Sequence, residues 1–332
     1  MKRARAAAVL TLIGGLIVGA AAPASASFPE QRRVAFVRYD GADFRVIRMR
    51  PNGLDERKVV RASSGIGYYA ATMSPDGRRV VISVGDGSQF DLFVKRLGGK
   101  TKQITDTPAR SEFSPVWSPD GRSIVFMETD STTYSAIVRR NRDGTGRREI
   151  DRNVDGFLLF PSVSPDGKRV LFSAPHASAP TRGPAADYDL VTKKLDGTGR
   201  RWLTSDDSQN QIAGDWSPDG DRVAFLIEAL LKPGPIGSVA PAVAAPVFRG
   251  ALPLQPVYSM RSDGGGRRLI TEKRGIVGRV LYTPDGERVM VSRFTSDSLD
   301  LYSTPVRGGV LKRLTETFET YNLFDLFDVL SG

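Results

Sequence analysis

A four-residue phrase, repeated five times, constrains this chain more than any other feature. Ser74-Pro75-Asp76-Gly77, Ser118-Pro119-Asp120-Gly121, Ser164-Pro165-Asp166-Gly167, Ser217-Pro218-Asp219-Gly220 and Thr283-Pro284-Asp285-Gly286 each precede one or two polar residues and an apolar run such as Ile124-Val125-Phe126 or Val223-Ala224-Phe225. Pro presets φ at the first corner of a turn, Asp hydrogen-bonds its own backbone, and Gly accepts the positive φ that closes the turn. The phrase therefore reads as a tight turn between antiparallel strands. A chain that repeats it has to stack small β units against one another.

A second phrase runs out of step with the first: a small turn, then basic residues, then an apolar-Thr strand. Its copies centre on Asn52-Gly53, Gly98-Gly99, Asp143-Gly144, Asp196-Gly197, Asp263-Gly264 and Gly308-Gly309, with spacings of 46, 45, 53, 67 and 45. A period near 45 with four short strands per copy is the signature of propeller blades. Five copies of one phrase and six of the other are reconciled at the ends. Phe28-Pro29-Glu30-Gln31-Arg32-Arg33-Val34 lies on the frame of Ser74-Pro75-Asp76-Gly77-Arg78-Arg79-Val80, and Tyr321 to Phe327 falls where every blade has its first strand. The predicted fold is all-β: a six-bladed β-propeller, closed when the C-terminal inner strand pairs with three N-terminal strands. An open solenoid or two smaller β domains would leave the complementary ends without a purpose and expose sheet edges.

Pro115-Val116-Trp117-Ser118-Pro119-Asp120-Gly121, and Asp215-Trp216-Ser217-Pro218-Asp219-Gly220 as a copy without the Pro, resemble the hallmark of TolB-type, or WD40-like, propellers. The resemblance spans about 28–332 and is specific for fold rather than function. It implies a periplasmic partner-binding role, without the α/β domain that precedes the propeller in TolB itself. The hydrolase domain and Gly-x-Ser-x-Gly turn of prolyl-oligopeptidase relatives have no counterpart in this sequence.

Residues 1–26 have the order of a secretory signal: basic Lys2, Arg3 and Arg5, an apolar run from Ala6 to Ala22, and Ala24-Ser25-Ala26 as the cleavage site. The alternative, a retained anchor, is weakened by Gly14, Gly15 and Gly19. Cleavage leaves one domain, 27–332, in the cell envelope or outside the cell, with no transmembrane segment. It also takes three basic residues from a net charge of +10, leaving +7. Nucleic acid is not the expected partner, and the mature chain is expected to be a monomer.

The sequence has no Cys and one His, His176. Disulfides, thiolate metal sites, cysteine nucleophiles and multi-histidine metal centres are thereby excluded, and neither a metal nor a cofactor is expected. His176 reads as a surface residue, because no carboxylate accompanies it in sequence. In a four-stranded blade, the entry to the inner strand opens on one face of the ring. Tyr68, Tyr69, Arg110, Glu112, Phe157, Asn210, Gln211, Arg274, Arg279 and Asp325 fall at or near such entries, and all except Phe157 are taken as candidate ligand- or partner-binding residues at the channel mouth. Their other reading is as solvated loop ends or aromatics packed between blades.

Two insertions open on the same face. One covers about 174–186. The other covers about 227–256, with a short helical start at Ile227-Glu228-Ala229-Leu230-Leu231 and then a Pro-rich apolar stretch suited to a lid or docking arm. On the opposite face, Arg147-Arg148, Arg200-Arg201 and Arg267-Arg268 suit either an anionic polymer or a charged, solvated edge. Two functions follow from different classes. One is a non-catalytic binding or scaffold module. The other is a secreted polysaccharide lyase or glycosidase using carboxylates such as Glu112 and Asp325, which requires two carboxyls about 5–10 Å apart across an open cleft.

Overall fold

The computed structural model describes residues 33–39, 43–62, 66–86, 88–130, 134–154, 156–176, 187–205, 209–229, 254–294, 299–315 and 321–323. The described residues form strands and turns throughout, arranged as a six-bladed β-propeller. Blade I is Val34–Tyr39, Phe44–Met49 and Arg57–Arg61. Blade II is Gly67–Met73, Arg79–Gly85, Phe90–Arg96 and Thr101–Gln103. Blade III is Ser111–Trp117, Ser123–Thr129, Ser135–Asn141 and Arg148–Asn153. Blade IV is Leu159–Val163, Arg169–Pro175, Tyr188–Lys194 and Arg201–Trp202. Blade V is Gln209–Trp216, Arg222–Ala229, Leu254–Arg261 and Arg268–Arg274. Blade VI is Ile276–Tyr282, Arg288–Phe294, Leu299–Pro305 and Lys312–Arg313. Within each blade, strands pair antiparallel with their sequence neighbours.

The ring closes as the complementary ends predict. Tyr321–Leu323 pairs antiparallel with Val34–Tyr39, with Val37 opposite Leu323 and Tyr39 opposite Tyr321, and makes one parallel bridge to Leu299 of blade VI. An apolar layer also fills this last seam, where Phe36, Ile47 and Met49 of blade I meet Met290 and Leu301 of blade VI. Equivalent layers fill the other five seams. Each central blade is therefore covered on both faces, which is why Ser123–Thr129 is buried at every position and its sequence is a run rather than an alternation.

The Ser-Pro-Asp-Gly turns share one hydrogen-bond set. In blade III, Gly121 N donates to Ser118 O (2.8 Å), Ser118 Oγ to Asp120 Oδ1 (2.5 Å), and Arg122 N to the same carboxylate oxygen (3.0 Å). The turn glycines have φ between 64° and 79°. Four of them also sit on the proline of the preceding turn: a Cβ at Gly121, Gly167, Gly220 or Gly286 would lie 3.4–3.8 Å from Pro75, Pro119, Pro165 or Pro218. The phrase recurs because it closes a hairpin and spaces successive blades at once.

Two expectations change. Of the helical start expected at Ile227 to Leu231, Ile227 to Ala229 continue the second strand of blade V, because Phe225, Leu226 and Ile227 fill the spaces between blades; the rest of that insertion, 230–253, lies outside the described residues. The basic turn residues are neither a free polyanion surface nor a merely solvated edge. In blades II to V the second basic residue of the turn straps its blade to the next: Lys102 donates to Asp143 O (2.9 Å), Arg148 to Asp196 O (2.6 Å), Arg201 to Asp263 O (2.7 Å) and Arg268 to Arg307 O (2.8 Å).

Candidate binding site at the seam of blades II and III

Glu112, the third residue after the loop that enters blade III, does not open into the channel. It faces blade II with no solvent exposure. Thr105 Oγ1 donates to its Oε2 at 2.8 Å, and its Oε1 receives no donor from the described protein. The Asp91 carboxyl is its hydrogen-bonding neighbour. Burial first, then the charge of Asp91 and that of Glu128, push Glu112 up to about 8. Burial likewise raises Asp91. Of the two acids, Glu112 is the one raised to about 8, so it is the one that holds a proton at neutral pH.

Beside this pair lies Glu128, also fully buried, on the strand that pairs with Glu112. Burial works against its charge. Arg147 (2.7 Å), Arg110 (2.8 Å) and Tyr134 (3.1 Å) outweigh it and hold Glu128 below the usual carboxylate range. The Arg110 guanidinium also lies over the Tyr134 ring, 4.1 Å from its centre, with 36% of its side chain exposed. Next to the acids, Tyr69 packs edge-on against Phe113 (4.8 Å) and Phe90 (5.8 Å), with Tyr69 and Phe113 half-buried. At this seam half-buried aromatic rings and a partly exposed guanidinium flank a sealed acid cluster.

The remaining sequence-predicted residues are dispersed. Tyr68 is buried in the apolar layer between blades I and II. Asn210 is buried and accepts from Tyr188 N (2.9 Å), and Gln211 is wholly buried in the seam of blades IV and V. Arg279 is 4% exposed and donates to Pro161 O (2.7 Å), next to Asp215. Arg274 is exposed on the outer strand of blade V, where its carbonyl accepts from Arg293 Nε. Phe157 N donates to Tyr188 Oη (3.3 Å). His176 lies against Trp202, ring centres 4.9 Å apart. Asp325 lies outside the described residues. Only Tyr69, Arg110 and Glu112 are brought together.

Asp91, Phe113, Glu128 and Tyr134 belong to the same seam and were not singled out. A signal for Glu128 was available, since a carboxylate at the end of Ile124-Val125-Phe126-Met127 sits in a strand with no polar face. Among the described residues, no group of three or more His, Asp or Glu is arranged to hold a metal ion. No helix there is long and apolar enough to cross a membrane.

Six four-stranded blades, with proline–glycine turn contacts on one face, define a propeller. The chain belongs to the TolB beta propeller domain family, whose model matches residues 21–230. The structure is similar to TolB from Acinetobacter baumannii, with TM-score 0.65 and 16% identity over 87% of this chain and 66% of that one. It is also similar to an oligogalacturonate lyase in complex with manganese, with TM-score 0.56 and 15% identity over 85% of this chain and 73% of that one. In sequence, 65 residues are 37% identical to dipeptidyl-peptidase 5 of Porphyromonas gingivalis, spanning 20% of this chain and 9% of the peptidase. The chain thus spans less than two thirds of that TolB and a small part of the peptidase.

Proposed function

We propose that the chain is exported behind its first 26 residues and works as a non-catalytic propeller that docks a protein partner in the cell envelope or outside the cell. The carrying observation is the surface formed by Tyr69, Phe113 and Arg110, held in place by Phe90, Tyr134 and Glu128. Aromatic and arginine side chains fixed in advance lose little entropy on association and are enriched at binding hot spots. The alternative, a lyase or glycosidase, needs two carboxyls open to a sugar. Glu112 is sealed from solvent, which weighs against it as that acid.

Residues 27–332 immobilised as bait, cross-linked to an envelope fraction of the source cells, test the docking reading. Tyr69→Ala combined with Arg110→Ala is expected to release a partner captured by the unaltered chain, while thermal unfolding confirms that the variant is folded. Capture that survives the double substitution rules out this surface. Cleavage of an acidic polysaccharide by the purified chain, abolished by substitution of a channel carboxylate, would favour the enzyme instead.

A further inference from the structure

Blades II–III and IV–V meet through equivalent residues, and the second seam carries a pocket beside its apolar layer. Asp91 and Thr105 recur as Asp189 and Thr204: the Thr105 hydroxyl lies 3.3 Å from Asp91 Oδ1, and Thr204 donates to Asp189 at 2.7 Å. Glu112, paired across the strands with Glu128, recurs as Gln211 paired with Ile227. Arg147 recurs as Arg267. In the first seam, Glu112, Glu128 and Arg147 occupy the space between blades. In the second, the exchange of Glu128 for Ile227 accompanies a pocket of about 500 Å³, lined by Leu203, Thr204, Gln211, Met260, Gly264 and Arg267 among others.

The pocket has a built polar wall. Gln211 has no solvent exposure, and its Nε2 donates to Gln209 O at 2.6 Å, which fixes the amide so that Oε1 is the remaining group. That oxygen accepts no hydrogen bond within the described residues. A buried carbonyl oxygen without a donor costs free energy that a bound N–H or O–H recovers. Thr204 has no capacity left to serve it: its Oγ1 donates to Asp189 and accepts from Leu190 N (2.9 Å). Arg267 supplies a cation at the exposed end, its guanidinium 4.4 Å from the centre of the Tyr258 ring.

We propose that the pocket between blades IV and V binds a small hydroxylated anion, with a ligand hydroxyl donating to Gln211 Oε1 and its anionic group paired with Arg267. The volume suits a molecule of monosaccharide size. The site is separate from the Tyr69–Arg110 surface, and its occupancy is independent of any partner docking there.

Calorimetric titration of residues 27–332 with glucuronate, glucose and acetate separates the contributions, because the first carries hydroxyls and a carboxylate, the second hydroxyls alone and the third a carboxylate alone. Glucuronate is expected to bind with a Kd of about 1 mM, and the other two about tenfold more weakly or worse. Arg267→Gln, a surface change that leaves the fold intact, is expected to weaken glucuronate by about tenfold. Gln211→Leu removes the acceptor and is expected to do the same, while Arg142→Gln on another blade leaves binding unchanged. No binding of glucuronate at about 20 mM, equal binding of glucose, or affinity unaltered in both Arg267→Gln and Gln211→Leu overturns the proposal.

Discussion

Arg279, on the inner strand of blade VI, reaches across to the inner strand of blade IV and donates Nη2 to Pro161 O at 2.7 Å. Between them stands Asp215 of blade V, which accepts from Ser162 Oγ (2.6 Å) and Tyr282 N (2.9 Å). Three consecutive blades are thus tied at the centre of the ring by one guanidinium and one carboxylate. Arg279→Met removes the cation, leaves the Pro161 carbonyl without its donor and leaves the Asp215 charge without its counterpart. A loss of about 2–4 kcal/mol is expected in urea unfolding. Adding Asp215→Asn is expected to recover part of it, since the uncompensated charge goes too. Midpoints that match the unaltered chain for the single variant would show that the tie contributes nothing.

The acid pair at the neighbouring seam gives a pH dependence of definite sign. A glutamate in the unfolded chain titrates near 4.5, whereas Glu112 in the fold, raised chiefly by burial, titrates near about 8. Between those values the folded state holds a proton that the unfolded state has released. Unfolding free energy therefore falls as pH rises across that window, by at most about 1.4 kcal/mol per unit, and levels off above it. The groups facing Glu112 are Thr105, Asp91, Thr107 and Glu128. Glu112→Gln keeps an acceptor for Thr105 and a donor for Asp91 without a titrating proton, and the chain already holds a glutamine at the equivalent position, Gln211. The variant is expected to match the unaltered chain near pH 5, exceed it near pH 8, and show a flatter slope between. An unchanged slope would place the proton elsewhere.

How much of this was legible depends on what each residue answers to. The turns and blades were readable because Ser118, Pro119, Asp120 and Gly121 satisfy one another within the turn, so a short phrase carries the whole geometry. Ring closure was readable because Val34–Tyr39 and Tyr321–Leu323 are strand fragments on complementary frames. The seams were not. Glu112 and Arg279 looked like mouth residues because their position along the strand was correct, but which way each faces is set by a register shift in its inner strand, between Phe113 and Val116 in blade III and between Val277 and Val280 in blade VI. Such shifts leave no periodicity to read. The partners of Glu112 and Arg279 also come from other blades, as Thr105 and Pro161 do. A single sequence gives no register between blades.

The contact between turn glycines and the preceding blade can be isolated with two substitutions of the same kind. Gly264 has φ +91°, and a Cβ there would lie 2.6 Å from Leu203 O, a backbone atom of blade IV that cannot move aside. Gly98, one position earlier in the corresponding turn of blade II, has φ +69° and nothing within 4 Å of the built Cβ. Alanine at Gly98 therefore meets only the left-handed backbone penalty, about 1–2 kcal/mol. Alanine at Gly264 meets that penalty and must also push blade V off blade IV, so an additional loss of about 1–3 kcal/mol is expected from overpacking. The pair is compared by urea midpoint at one pH, with circular dichroism checking that both variants remain β. Equal losses would mean that the blades give way freely at this seam. A larger loss at Gly264 means that the glycine of each turn is fixed by the neighbouring blade as much as by its own φ.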